Sequence, residues 1–458
     1  MNPMISRRSL LALATASTSM PTAALAQRSN SRRRLAGICF AYTPISHAHV
    51  IFAKYLDGYE SFRKGLNPLS RKRGDAQDGV DAPFSQQRLP PPYQPTRPRS
   101  EIASLYVAQR PEDDLSRQVS RKYGIPIYRS IYEALTLGGD KLAVDGVLLI
   151  GEHGDFPENE KGQKLYPRFE AFLEIADVFR QTGRTVSVFS DKHLSYDWRK
   201  AQRMVEISKE LDFPFMAGSS LPVTWRIPAV DVPYGATVKH AVGVAFGALD
   251  SYGLHLQESI QCMVERRKGG ETGVKSVQCL ERGAVWNFLD HTPWAKRLFD
   301  HAVPHAVETY DARRPRSVVK DPAVFLVEYN DGLQTAGFLL TNYLRDFTVA
   351  VDVEGRPEPI STLMHLEQTA FAGYHFVCQL KNVETMFETG KAIYPAERTV
   401  LTSGIVDLVL ESRLRGHKRL ATPMLDVHYQ SPDKSFFCTE GPVYLHNPEK
   451  LPIERVEQ

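Results

Sequence analysis

The sequence contains few cysteines, and they lie far apart. The 458 residues include five cysteines, and no two of them are spaced C-x-x-C. A zinc site needs closely spaced ligands and a disulfide framework needs many cysteines, so the pattern argues against both. A Cys262–Cys279 pair could form in an oxidising compartment, but nothing in the sequence requires it. The remaining cysteines are Cys39, Cys378 and Cys438.

A strong charge of either sign and long apolar runs are also missing. Lys and Arg number 56 and Asp and Glu 53, a net charge of +3, so no basic surface of the kind that binds nucleic acid is predicted. No stretch after the N-terminal region is apolar over the roughly 20 residues that cross a bilayer. We therefore expect no nucleic-acid partner and no stable membrane insertion. The 42% hydrophobic content is sufficient for the cores of two or three domains.

The first 26 residues have the pattern of an export signal. Arg7 and Arg8 precede a modestly apolar stretch, and Ala24-Leu25-Ala26 forms a small-residue cleavage site. A membrane anchor is the weaker interpretation, because Ser, Thr and Pro21 interrupt the apolar run. We predict a twin-arginine signal peptide over residues 1–26, a linker over 27–34, and a periplasmic or secreted protein.

Apolar strands alternate with amphipathic helices over residues 35–218. "VDGVLLIG" (144–151) is a continuous apolar run, and "RFEAFLEIADVFRQTG" (168–183) has helical spacing and a terminal Gly183. This alternation predicts an α/β domain with a doubly wound parallel sheet, which binds ligands at the carboxyl ends of its strands. Residues 65–100, rich in proline and charge, are interpreted as a polar insertion.

The second half of the chain, residues 219–458, has a different pattern. Residues 237–247 alternate like a strand, 324–340 predict strand–turn–strand around Asn330-Asp331-Gly332, and 403–416 predict a helix that ends at Gly416. We expect an α+β domain with an open, mostly antiparallel sheet. If residues 364–376 lie in that sheet, alternate side chains could face a sugar, but core packing is expected for Phe371 and Phe376.

Several segments occur in an order typical of one family. "KYGIPIYRSIYEAL", "VDGVLLIG", "GRTVSVFSDKHLS" and "ISKELDFPFMAGSS" follow one another, and "GIVDLVLESRLRGHKRL" comes late in the chain. This order resembles the glucose-fructose oxidoreductase/inositol dehydrogenase (Gfo/Idh/MocA) family, over residues 35–255 and more loosely beyond. The resemblance implies a Rossmann-like domain followed by a substrate and oligomerisation domain. It also implies a small carbohydrate substrate, a tightly bound NAD or NADP, and a homo-oligomer.

The resemblance implies catalytic roles for residues in two segments. Lys192 occupies the position of the family's Glu-Lys-Pro lysine, where a cation beside the sugar hydroxyl lowers the cost of proton loss. His255 matches the family's acid–base histidine, whereas Asp250 lies five residues before it instead of four and so on a rotated face. The structural alternatives to these roles are that Lys192 is an ordinary surface lysine and that His255 is a histidine packed in the core. The candidate catalytic residues are Lys192, His193, Asp250 and His255.

The expected phosphate-binding loop departs from the family pattern. The three glycines of G-x-G-x-x-G are replaced in Ala41-Tyr42-Thr43-Pro44-Ile45-Ser46, and Gln109 lies where an acidic residue would hold the ribose. A side chain at the second position would lie where phosphate oxygens belong, and Pro44 has no N–H to donate. The candidate cofactor-binding residues are Ala41, Thr43, Ser46, Gly151 and His153.

The segment 151–169 is unusually rich in ionisable residues. A histidine among carboxylates can bind a divalent metal or polarise a sugar hydroxyl, and a solvated acidic loop is the alternative. We predict no metal, with His153, Asp155 and Glu158 as the alternative ligand set. The candidate substrate-binding residues are Asp155, Trp225 and Arg226.

Three functions are consistent with these residues. The first is an exported oxidoreductase that transfers hydride from a sugar or polyol to a nicotinamide cofactor. The second is a sugar lyase, hydrolase or isomerase on the same fold without the usual NAD binding, with or without a metal. The third is a non-catalytic periplasmic carbohydrate-binding protein. The missing glycines favour the second and third functions, and Lys192 favours the first two.

Overall fold

A computed structural model of the chain describes residues 32–44, 46–59, 96–307, 314–366 and 373–439. The signal peptide predicted over 1–26 and most of the insertion predicted over 65–100 lie outside the described residues. Ser100 belongs to a strand rather than to the insertion. None of the helices in the described ranges is both long and apolar enough to cross a membrane.

The first six strands form a parallel sheet, as predicted. Their order across the sheet is β3-β2-β1-β4-β5-β6, the arrangement of a doubly wound Rossmann-type domain. Residues of β1 alternate between the two faces, with Leu35 and Cys39 in one core and Ile38 and Phe40 in the other. Burial on both faces explains why these strands are continuously apolar. The strands are β1 (Arg33–Ala41), β2 (Ser100–Gln109), β3 (Ile127–Tyr128), β4 (Gly146–Ile150), β5 (Ser187–Asp191) and β6 (Phe215–Gly218).

Helices cover both faces of this sheet. Gly124 and Gly183 follow two of the helices with φ of +69° and +65°, the left-handed conformation that commonly ends a helix. Ser46 caps the first helix by accepting the His49 N–H at 3.1 Å. The helices are α1 (His47–Asp57), α2 (Ser116–Tyr123), α3 (Ile131–Thr136), α4 (Arg168–Thr182) and α5 (Trp198–Glu210).

A second sheet of eight strands follows, and it is mostly antiparallel, as predicted. Its order is β15-β10-β11-β12-β8-β13-β14-β7, and β8 and β12 run parallel. The expected turn at residues 330–332 joins β11 and β12, which pair antiparallel. The strands are β7 (Arg226–Ile227), β8 (Val238–Ala245), β10 (Val274–Glu281), β11 (Ala323–Tyr329), β12 (Gln334–Leu339), β13 (Phe347–Val353), β14 (Ile360–Met364) and β15 (Leu420–Ala421), with β9 (Glu271–Thr272) and β16 (His428–Tyr429) forming a separate pair.

The helices of the second half serve both sheets. The predicted helix over 403–416 is confirmed within a longer α11, which packs against α5, α6 and β10 and so joins the two halves. For the segment 364–376, part of which lies outside the described residues, core packing was expected for Phe371 and Phe376, and a place in the second sheet was left open. β14 ends at Met364, and the end of the segment begins α10, which packs apolar residues, including Phe376 and Leu380, into the core of the first sheet. The expected core packing is therefore confirmed for Phe376, whereas Phe371 lies outside the described residues. The helices are α6 (Ser251–Val264), α7 (Gly283–His291), α8 (Pro293–Ala302), α9 (Pro315–Val318), α10 (Tyr374–Thr389) and α11 (Glu397–Leu414).

Candidate functional site

Lys192 lies directly after β5, where the chain leaves the parallel sheet. Its backbone has φ of +68°, a conformation that is uncommon for residues other than glycine, asparagine and aspartate. Its N–H donates to the Gly218 carbonyl at 3.3 Å. The residue is only 5% exposed, so the side chain turns inward. Its Nζ lies 3.5 Å from Glu152 Oε2 and 5.9 Å from the centre of the Tyr252 ring on α6.

Glu152 joins two buried cations at the end of β4. Its Oε1 accepts from Arg168 Nη2 at 3.1 Å, and both side chains are nearly inaccessible to solvent. Burial alone would raise the pKa of the Glu152 carboxyl, but Lys192 and Arg168 outweigh it and hold that pKa well below its usual range. Gly151 is required next to it, because a Cβ there would lie 2.6 Å from Arg168 Cγ.

Two histidines approach this carboxylate from α1 and from the loop after β4. His47 Nδ1 lies 2.5 Å from Asp191 Oδ2, and the His47 and His153 rings are 5.5 Å apart. Burial, helped by the positive charge that His47 can carry, lowers the pKa of His153 to about 4. His153 is therefore neutral at physiological pH, and an imidazole bonded to a carboxylate, as His47 is, can act as a general base.

Helix α6 brings the remaining polar groups from the second half of the chain. Asp250, just before α6, lies 3.3 Å from His193 Nε2, and His255 Nδ1 lies 2.6 Å from Ser219 Oγ. Burial and the nearby Lys192 lower the pKa of His255 well below its ordinary value. We call the whole set the Lys192 cluster. It consists of His47, Glu152, His153, Arg168, Asp191, Lys192, His193, Ser219, Asp250 and His255.

The Ser219 hydroxyl bonds to Nδ1 of His255 and can select the tautomer of that ring. Its Oγ accepts the Leu221 N–H at 3.1 Å, so the hydroxyl hydrogen is available to donate to His255 Nδ1. When Ser219 donates this hydrogen, a neutral His255 carries its proton on Nε2. Glu258, one turn further along α6, accepts the Ser219 N–H at 3.0 Å and fixes the serine in place.

The structure brings some of the predicted site residues together and separates others. Lys192, His193, Asp250, His255 and His153 belong to one cluster. Trp225 and Arg226 lie in buried surroundings elsewhere, and Arg226 pairs with Asp231 at 2.7 Å.

The alternative metal ligands do not converge. Glu158 pairs with Lys164 at 3.2 Å, and Asp155 is exposed and engaged through its backbone. Across the described ranges, no three His, Cys, Asp or Glu side chains are arranged to hold a metal ion.

The sequence-based selection missed several members of the cluster. His47 lies at the start of α1 straight after the first strand, a position that could have been noticed. Arg168 and Ser219 carry no such signal, because only the fold brings them to Glu152 and His255.

A cavity of about 440 Å³ lies beyond the ends of β1, β2 and β4, and its lining includes Gly154, the residue after His153 of the Lys192 cluster. This is the switch point of the sheet, where such folds bind ligands. Gln109 spans it: its Nε2 donates to the Asp155 carbonyl at 2.8 Å, and the Asp155 N–H donates to Gln109 Oε1 at 2.7 Å. The cavity is lined by Ala41, Thr43, Gln109, Arg110, Pro111, Gly154 and Asp155.

The residues around α1 do not fit a dinucleotide bound in the usual manner. Tyr42 and Ser46 are fully buried, so the helix start that normally meets a pyrophosphate is covered. The Phe376 ring packs edge-on against His47, with ring centres 4.9 Å apart. Gln109, at the ribose-binding position, already has both amide atoms engaged. Of the candidate cofactor-binding residues, Ala41 and Thr43 line the cavity, whereas Ser46 is a buried helix cap.

The sequence matches no protein-family profile and no curated protein. Solved structures with a similar fold include a probable dehydrogenase from Thermotoga maritima, with 12% identity, 86% of this chain and 99% of that chain covered, and a TM-score of 0.48. A second is GenD2 from gentamicin A biosynthesis in complex with NAD, with 12% identity, 85% of this chain and 96% of that chain covered, and a TM-score of 0.49. A third is myo-inositol 2-dehydrogenase from Lactobacillus plantarum, with 10% identity, 85% of this chain and 99% of that chain covered, and a TM-score of 0.48. At these identities, no conclusion about activity follows.

Proposed function

We propose that the chain is an enzyme that moves protons on a reducing sugar, with interconversion of an aldose and a ketose as the reaction class. The observation that carries the proposal is the buried Lys192 ammonium, 3.5 Å from Glu152 and surrounded by neutral or carboxylate-paired histidines. Burying a lysine is unfavourable, and a concentration of perturbed ionisable groups at a strand end indicates a functional site.

In the proposed reaction, three groups have complementary roles. His47, oriented by Asp191, removes a proton from the carbon next to the substrate carbonyl. Lys192 stabilises the charge that develops on the carbonyl oxygen, and neutral His255 donates to that oxygen from Nε2. His255 then takes the proton of the neighbouring hydroxyl, which becomes the new carbonyl, and His47 returns its proton to the former carbonyl carbon, so the reaction needs no oxidant. An ammonium with three donors and one carboxylate partner retains donors for a hydroxyl-rich ligand.

A second candidate is a sugar or polyol oxidoreductase that uses NAD or NADP. The strand order of the first sheet and the cavity at its switch point favour this function. Its dinucleotide would have to bind without the covered start of α1. Export through a twin-arginine signal, division into a Rossmann-like domain over 35–218 and a second domain over 219–458, and a homo-oligomer remain predictions for either enzyme.

The deciding experiment follows deuterium uptake by NMR while the purified protein is incubated with aldoses and ketoses in D₂O. We expect deuterium at the carbon beside the carbonyl, and its loss in Lys192→Met. Lys164→Met, at a partly exposed lysine that pairs with Glu158 in the same part of the fold, is the matched control and should retain uptake.

Two other outcomes would contradict the isomerase, and a third would contradict the role of Lys192. A dinucleotide released on denaturation, together with sugar-dependent reduction of that dinucleotide, would establish the oxidoreductase. Binding of a sugar that is weakened in Lys192→Met, without any turnover, would indicate a non-catalytic binding protein. Equal deuterium uptake by the wild type and Lys192→Met would show that Lys192 takes no part in the reaction.

A further inference from the structure

Two cysteines that are distant in the sequence meet behind the first sheet. Cys378 lies in the second turn of α10, and Cys438 lies near the end of the described chain. The Cys378 thiol is within hydrogen-bonding range of the Cys438 thiol. Both side chains pack in the same apolar core, Cys378 fully buried and Cys438 partly buried.

Backbone and amide contacts hold the two segments in this arrangement. Asn382 Nδ2 donates both to the Cys378 carbonyl at 3.0 Å and to the Phe436 carbonyl at 3.3 Å, and so it links α10 to the C-terminal segment. The Cys438 N–H donates to the Val223 carbonyl at 2.9 Å. These contacts place the C-terminal segment beside α10 without any contribution from the thiols.

The other three cysteines, all within the described residues, have different surroundings. Cys262, one member of the pair that the sequence allowed, donates its thiol to the Ser259 carbonyl and contacts Arg226. Cys279 lies in β10, buried in the core of the second sheet, and Cys39 lies within β1.

We propose that Cys378 and Cys438 form a disulfide that attaches the C-terminal segment to α10. The bond forms by exchange with a disulfide-bearing oxidant. The Cys438 thiolate, the more exposed of the two, attacks the external disulfide and releases one thiol, and Cys378 then displaces the second. The two cysteines lose two protons and two electrons, and the external disulfide is reduced to two thiols. The first turn of α10 carries Phe376, which packs against His47, so the bond stabilises the part of α10 that covers the Lys192 cluster.

The test counts thiols in the folded wild-type protein before and after incubation with oxidised glutathione. Alkylation under denaturing conditions should label all five cysteines of the reduced protein and two fewer after oxidation. A digest should contain a Cys378–Cys438 cross-linked peptide, and the oxidised protein should have a higher melting temperature, because the bond closes a long loop in the unfolded chain.

Two variants complete the test and do not depend on any enzymatic activity. Cys438→Ser, at a partly exposed position, should show no loss of thiols on oxidation, whereas Cys279→Ala should still lose two. An unchanged count of labelled thiols in the wild type would overturn the proposal. So would a cross-link between another pair, or a stable glutathione adduct on Cys438.

Discussion

The replacement of Glu152 by glutamine tests whether one carboxylate holds two buried cations. A glutamine has nearly the same shape, but it would leave Arg168 and Lys192 without their negative partner at 3.1 and 3.5 Å. Removing one member of a buried ion pair typically costs about 3–5 kcal/mol, because the remaining charge stays buried. We expect Glu152→Gln to lower the free energy of unfolding by an amount in that range.

The assay is urea unfolding followed by both circular dichroism and tryptophan fluorescence. Glu158→Gln is the matched control, since Glu158 belongs to the same loop but pairs with Lys164 at the surface, where ion pairs contribute little. The double variant Glu152→Gln/Lys192→Met should recover part of the loss, because it removes one of the two stranded charges. Equal effects of Glu152→Gln and Glu158→Gln would refute the electrostatic account of the site.

The same replacement has a pH signature. The pKa of Glu152 is depressed in the folded protein, so its contribution is fully present above the unfolded value of about 4.3 and is lost as the pH falls through the folded value. The difference between the wild type and Glu152→Gln should therefore be constant near neutral pH and shrink in acid. A difference that grows as the pH falls would contradict the depressed pKa.

Three further predictions concern neighbours of this carboxylate. Ser219→Ala should convert His255 from the Nε2–H tautomer to a mixture of both tautomers, visible in the ¹⁵N NMR spectrum of histidine-labelled protein; an unchanged spectrum would exclude control by Ser219. Gly151→Ala should destabilise the protein by about 1–3 kcal/mol in urea, because its Cβ would overlap Arg168. The pKa of His153 is lowered to about 4. Between about pH 6.5 and 4, His153 is therefore protonated in the unfolded chain and neutral in the folded protein. The free energy of unfolding should therefore decrease as the pH is lowered from about 6.5 to 4, and this decrease should be smaller in His153→Gln. An identical dependence on pH in both proteins would argue against a neutral His153.

Both sheets were predictable from the chain alone because their signals are local. Runs such as residues 144–151 are apolar without interruption, and this pattern is typical of a strand buried on both faces. The turn at residues 330–332 is equally local, since glycine and asparagine allow the backbone to reverse direction. For the segment 364–376 the sequence left membership of the second sheet open, and the core packing expected of Phe376 is confirmed. Alternation in a short segment does not reveal that the chain has left one sheet and begun a helix against the other.

The candidate site was predictable only in part. Lys192 and His255 were selected because their segments resemble motifs of the Gfo/Idh/MocA family, and His193 because it follows Lys192 at the end of a strand. Their partners were not all recognisable: Arg168 and Ser219 meet Glu152 and His255 through contacts between elements distant in the sequence.

The sequence by itself determined the order of strands and helices, the loss of the glycine-rich loop, and the presence of a lysine at the end of β5. These features depend on residue type and spacing within one segment, where steric preference and burial act locally. Only the tertiary structure decided that Lys192 is buried against Glu152, that the start of α1 is covered, and that Cys378 meets Cys438. Each of these depends on the distance between groups far apart in the chain, and that distance exists only once the cores have packed.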